Sequence, residues 1–373
     1  MQLSLLQENF NLALQNVSRF VSSKSQLPIL NNILISTDEG RLKLSATNLE
    51  VGINYWIGAK IEKEGSTTIP NREITEFISY LSSGKIDLSL DDKNLLKITS
   101  SRAESTFATI PAADFPVLPS LDPKTAFDID LSLFNQAISQ IAFSAAADDT
   151  RPVLTAVLCQ FAPNNITLVT TDGFRLSQKI IKLVEPLSLK NDHPISFLIP
   201  QKTLLEITKL SKTAKKLQMG LTLDGHQLVF VLEDLELVSR LIDGDYPDYQ
   251  RIIPESFSKK IFINKVEFVQ AVKIASVFAQ KSANVVKFSL QKSKLILSAN
   301  APQLGQNQAS VEAKFEGDPL EIAFNYKFVS DFLTVCKGEE IIIELNEPLT
   351  PGFFHDQSDP NFTHIIMPVR IQD

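Results

Sequence analysis

Apolar positions along the chain form two kinds of run that alternate. Phe10, Leu14, Val17 and Val21 stand 4, 3 and 4 residues apart; Phe134, Ile138, Ile141 and Ala145 repeat that spacing, and so do Phe268, Val272, Ala275 and Ala279. Side chains so spaced share one face of a helix, and each set predicts an amphipathic helix. A second helix follows in each case. Ile74, Phe77 and Ile78 lie 4, 7 and 8 residues after Pro70; Leu204, Ile207 and Thr208 stand likewise after Pro200, and Val329, Phe332 and Leu333 after Asn325. Proline suits a helix entrance, because it has no N–H to leave unpaired and its ring presets the first turn. Around the helices lie short alternating runs such as "RLKLSATNLEVGINYWI", "NITLVTTDGFRLSQKIIKL" and "SKLILSANAP", punctuated by Gly, Asp and Asn, which predict strands and turns.

The lead phenylalanine recurs at 10, 134 and 268, intervals far too long for a solenoid unit and suited to whole domains. Each third reads as a lead-in strand, a helix, three strands, a second helix and three strands, an α+β unit in three tandem copies. The stretches "IPAADFPVLP" and "LIDGDYPDYQRIIP" close the first two copies alike, which places domains at 1–121, 122–255 and 256–373. A chain of 373 residues with 44% hydrophobic content has room for that many cores.

The formal charge is -7, which taken alone disfavours a conventional nucleic-acid binder. Cys159 and Cys336 lack CxxC spacing and read as buried small hydrophobes, with no disulfide framework. No apolar run of about 18 residues occurs and the start "MQLSLLQENF" lacks a signal-peptide pattern, so a cytoplasmic protein with no membrane partner is expected.

Catalytic signatures are missing. "SSGKID" lacks the glycines and the Lys-Ser/Thr of a phosphate loop and reads as a helix stop; neither G-x-S-x-G nor H-E-x-x-H is present. His193, His226, His355 and His364 show no ligand spacing and are expected at surface or loop positions, and no metal or other cofactor is called for. Asp243, Asp245 and Asp248 lack the spacing of a calcium loop and read as turn-capping side chains. Asp148, Asp149 and Arg151 read as a loop after a helix. Asp172 stands in "TTDGFRLS" without a base or nucleophile beside it, and Asp-Gly between alternating runs signals a tight turn.

Positive charge gathers on the predicted helices. "QKTLLEITKLSKTAKKLQ" carries Lys202, Lys209, Lys212, Lys215 and Lys216 against Glu206; Lys265, Lys273 and Lys281 mark a later helix, and Arg19 and Lys24 follow the first. Solvated helix faces explain any one of these; recurrence in a repeated domain suggests a shared positive surface for a polyanion.

Three copies of this unit, with "LPILNNILI", "IPAADFP", "TRPVLTAV", "TTDGFRLS", "DGDYPDYQRIIP" and a terminal "MPVR" in order, resemble the bacterial replicative sliding clamps, the β subunits of DNA polymerase III. The resemblance runs end to end. It implies a homodimer joined head to tail in a ring, helices inside and two-sheet domains outside, that encircles double-stranded DNA without sequence specificity and is no enzyme itself. The expected partners are the replicative polymerase catalytic subunit with its 3′-5′ exonuclease complex, clamp-loader subunits, and other polymerases and repair proteins bearing clamp-binding motifs. The resemblance also implies a peptide groove of Leu154, Thr171, Gly173, Phe174, Arg175, Leu176, Pro247, Arg251, Ile252, Ile366, Met367, Pro368, Val369 and Arg370, whose apolar walls and pliable Met suit Leu and Phe anchors. It places Lys24, Lys202 and Lys209 toward DNA, and Phe107, Val277 and Phe278 at the ring interface, where a domain-core role is the alternative. "MPVR" read alone is equally a plain edge strand. Ala156 stands where many clamps have Gly, and Ile371-Gln372-Asp373 extends past the terminal motif. A scaffold that does not encircle DNA, and a hydrolase using Asp172 or the Asp243 cluster, are the competing readings.

Overall fold

The computed structural model describes residues 1–22, 26–189, 193–210, 215–291 and 293–370. Its six α-helices are α1 (Gln7–Val17), α2 (Asn71–Tyr80), α3 (Leu131–Ile141), α4 (Gln201–Leu210), α5 (Lys265–Ala279) and α6 (Tyr326–Val335). Most of each apolar stripe is buried: Phe10, Phe134 and Phe268 lie at 0%, 1% and 0% exposure, and Ile74, Leu204 and Val329 at 0%, but Val21 and Ala145 lie past the ends of α1 and α3 in extended backbone. Burying a phenylalanine contributes about 1.5–3 kcal/mol, so these positions anchor each helix to its sheet. Asn264 and Asn325 cap α5 and α6, their side-chain oxygens accepting N–H bonds from Val266 and Glu267 and from Lys327. Pro70 and Pro200 stand one residue before the first helical residue of α2 and α4, as the last residues of strands.

Those strands are a difference from the expected pattern. Ser66–Pro70, Ile195–Pro200 and Leu320–Asn325 each lead straight into the second helix of a repeat; where three strands were expected, the described residues hold four in the second and third repeats and five in the first, which adds Lys60–Lys63. All three are outermost in their sheets, a place where proline's missing N–H removes no ladder bond.

Contacts divide the chain into two compact units, residues 1–131 with 209–241 and residues 132–208 with 242–373. The first holds a five-stranded sheet, in the order Lys60–Lys63, Gln2–Leu6, Lys85–Leu90, Leu95–Thr99, Glu104–Ala108, and an eight-stranded one. The eight-stranded sheet joins the last strand of the second repeat, Leu235–Arg240, to the third strand of the first, Val51–Gly58, with Ser239 opposite Val51 and Leu237 opposite Ile53. The second unit holds a twelve-stranded sheet. There the third strand of the second repeat, Arg175–Lys182, pairs antiparallel with the last strand of the third, Asp359–Ile366, with Arg175 opposite Ile366 and Ser177 opposite His364. The same positions of successive repeats therefore form both seams.

The helix expected through "KLSKTAKKLQ" is described as far as Leu210; Lys216 already begins the strand Lys216–Leu221, and Lys212 lies outside the described residues. Cys159 and Cys336 are buried, and burial pushes both thiols up. Ala156 is wholly buried at the start of the strand Ala156–Ala162. Among the described residues, no helix is long and apolar enough to cross a membrane.

Candidate functional site

The stretch "TTDGFRLS" forms the turn between the strands Asn165–Thr171 and Arg175–Lys182. Asp172 Oδ1 accepts the N–H groups of Phe174 (2.9 Å) and Arg175 (3.0 Å), and Thr171 Oγ1 donates to the Arg175 carbonyl at 2.6 Å. Gly173 has φ +91°, a conformation that a Cβ would strain. The carboxylate of Asp172 is thus a turn-forming group, as its neighbours predicted.

Beneath this turn the core of Leu158, Val169, Leu176, Tyr249, Phe353 and Ile365 supports a largely apolar cavity of about 230 Å³. Eight of the anticipated groove residues line it: Leu154, Thr171, Gly173, Arg175, Leu176, Pro247, Ile252 and Met367. Met367 is 38% exposed, and its N–H donates to the Phe174 carbonyl at 2.9 Å, tying the terminal element to the turn.

The other six lie elsewhere. Phe174 is 67% exposed outside the cavity lining. Arg251 projects into solvent and pairs with Asp248 at 2.6 Å. Ile366 is fully buried, and Ile365 lines the cavity in its stead. Pro368 is half-buried outside the lining. Val369 and Arg370 line a separate recess of about 850 Å³ with Lys287, Asn300 and Gln308. The cavity also uses Arg151, Asp248 and Tyr249, which the sequence reading did not assign. Strand alternation puts Ile365 on the same side as Met367, and that signal could have found it.

Arg175 is more deeply engaged than a groove-facing cation. Its Nε donates to Asp172 Oδ2 (2.9 Å), one terminal nitrogen to Asp331 Oδ2 on α6 (2.6 Å) and the other to the Phe143 carbonyl (2.7 Å); the guanidinium sits 4.4 Å from the ring centre of Phe328. Along the same strand face, Ser177 Oγ lies 2.8 Å from both Ser144 Oγ and His364 Nδ1, and Lys179 pairs with Asp359 at 2.5 Å, to which Gln140 also donates at 2.9 Å. Two expectations fail here. His364 is fully buried within a strand, stacked 5.5 Å from Phe332, and burial together with the Arg175 charge lowers its pKa to about 3. His355 is also on a strand, 3.1 Å from Glu344, with burial lowering its pKa. Both lie on the last two strands, Gly352–Asp356 and Asp359–Ile366, which pair with each other in the middle of the twelve-stranded sheet. The acidic turn departs as well, since Asp248 pairs with Arg251 and makes no cap to the helical turn that follows.

Lys202 and Lys209 are exposed on α4, and Lys24 lies outside the described residues. Phe107 is half-buried on the outermost strand Glu104–Ala108, edge-on to Phe77 at 5.3 Å. Val277 is 56% exposed and Phe278 half-buried in the last turn of α5. Among the described residues, no three His, Cys, Asp or Glu side chains gather as a metal site.

The sequence pattern of the DNA polymerase III beta subunit matches the chain three times: its N-terminal domain at residues 1–119, central domain at 128–248 and C-terminal domain at 250–370. The chain is 29% identical to the beta sliding clamp of Synechocystis sp., covering 100% of both, and 29% identical to that of Bacillus subtilis, covering 96% of each. The crystal structure of a DNA polymerase sliding clamp from Bacillus subtilis superposes with a TM-score of 0.94 at 27% identity, and that of a Thermotoga maritima DNA polymerase III beta subunit with 0.91 at 27%, each over 100% of both chains. A matching pattern across all three repeats, with the same fold throughout, means that the chain belongs to the DNA polymerase III beta subunit family.

Proposed function

We propose that this protein is a sliding clamp that encircles duplex DNA and, without catalysis of its own, holds the replicative polymerase there through a peptide groove. The observation that carries the reading is the seam pattern. The third strand of one repeat pairs with the last strand of the next, once for Val51–Gly58 and once for Arg175–Lys182. Two strands of those kinds remain over. Glu104–Ala108 is outermost in its sheet, and residues 305–312 of Gly305–Glu316 pair only with Lys294–Ala301 among the described strands. An open third strand and an open last strand on one chain fit a second copy head to tail, with Phe107, Val277 and Phe278 beside the joint. On this reading the domains are 1–121, 122–255 and 256–373.

Lys24, Lys202 and Lys209 supply phosphate contacts that carry no sequence information, which suits a protein held by topology and otherwise acidic. The cavity takes a Leu or Phe anchor of a partner peptide, with Leu154, Leu176 and Met367 as walls and the other anticipated residues as its approach. The partners are the polymerase, clamp-loader subunits and repair proteins with like motifs, in the cytoplasm.

Loading on nicked circular DNA with a clamp loader and ATP, followed by a high-salt wash, tests the reading. The protein should stay on circles and leave once they are linearised, and sedimentation should give twice the chain mass. Equal retention on circular and linear DNA rejects the clamp.

A further inference from the structure

Arg175 lines the cavity, yet its side chain is 11% exposed and every nitrogen of its guanidinium already donates within the protein. Two carboxylates and a carbonyl hold the fork in plane while Phe328 and Phe143 flank it at 4.4 and 5.3 Å. Arginine gives directional, forked bonds of this kind; a lysine would supply the charge without the geometry. Three of its five N–H groups are spent within the protein, which leaves it less free to reach a peptide than its place in the lining suggests. It is well placed to fix the turn that forms the cavity's wall. Asp172 binds the turn's N–H groups through Oδ1 and Arg175 through Oδ2, so the turn, the guanidinium and Asp331 on α6 form one connected chain.

We propose that Asp331, a residue outside the cavity lining, is a positioning residue: it anchors Arg175, so that α6 of the third repeat sets the shape of the groove wall contributed by the second. This rests on the peptide-groove reading above. Asp331 is 44% exposed, which moderates the effect of losing it, while Arg175 and Asp172 are 11% and 18% exposed and hold their geometry in low dielectric.

The test is a double-mutant cycle on the intact protein, read with a fluorescent peptide bearing a polymerase-type Leu/Phe anchor. Asp331→Asn should weaken binding about three- to tenfold, mainly through faster dissociation, as expected for losing a charge-assisted bond at a half-exposed site. Arg175→Lys, which keeps the charge, should weaken it at least as much, and the double variant should be no worse than Arg175→Lys alone. Asp331→Glu should recover part of the loss. Melting temperature and sedimentation identify any variant that loses affinity by misfolding, and the Asp331→Asn and Asp331→Glu pair then carries the comparison. Unchanged affinity in Asp331→Asn, or independent additive losses in the cycle, overturns the positioning role. A loss on Met367→Ala in the same assay shows that the groove reading stands even then; failure of the unaltered protein to bind the peptide removes the groove reading and this role with it.

Discussion

The two seams share backbone geometry and differ in chemistry. At the seam of the first and second repeats, the residues facing inward from Val51–Gly58 are Val51, Ile53 and Tyr55, with Leu237 and Ile53 both fully buried. At the seam of the second and third, the same positions hold Arg175, Ser177 and Lys179, answered by Asp331, His364 and Asp359. An apolar seam gains from area alone and tolerates small shifts. A buried polar seam holds only when every group finds its partner, which ties it to one register. The cavity lies beside the polar seam, where backbone position is most tightly specified.

The largest expected effect comes from breaking the ion pair. Lys179→Met leaves Asp359 buried without its cation and should cost about 3–5 kcal/mol in urea unfolding, most of it regained by adding Asp359→Leu; no recovery in the double variant would mean that the pair matters through packing. The apolar seam should lose about 2–5 kcal/mol on Ile53→Ala, by cavity formation, with little dependence on pH. Trp56, the only tryptophan, lies on the same strand and reports that transition by its fluorescence. The most discriminating effect is acid sensitivity. The fold keeps His364 neutral down to about pH 3, whereas an unfolded histidine takes its proton near about 6.5. The stability contributed by the neutral ring is whole above about 6.5 and is lost as pH drops toward about 3. His364→Phe should flatten that slope in the second unit; a slope identical to that of the unaltered protein would remove His364 as its source.

Helix faces were legible because their periodicity is local and repeats three times. The edge strands before α2, α4 and α6 were not, since runs such as "ISFLIP" carry little alternation and abut a helix. Turn chemistry around Asp172 was readable from Asp-Gly, and eight of the groove residues came together around one cavity. The terminal motif points to Ile366, whereas the pleat decides for Ile365, which lines the cavity. The burial of Lys179 and His364 had no local sign, as their partners Asp359 and Ser177 stand 180 and 187 residues away.

The Lys179–Asp359 pair also bears on how the chain avoids folding wrongly. Repeats of one fold offer interchangeable edges, and a nascent chain could dock Arg175–Lys182 against Leu235–Arg240, a strand of the same kind and closer in sequence. In that pairing Lys179 would take the place of Tyr55 opposite Leu235, without the Asp359 carboxylate that answers it in the native seam. The pair thus acts as proofreading between look-alike strands, rejecting the near neighbour and leaving the edge open for the one that arrives last from the ribosome.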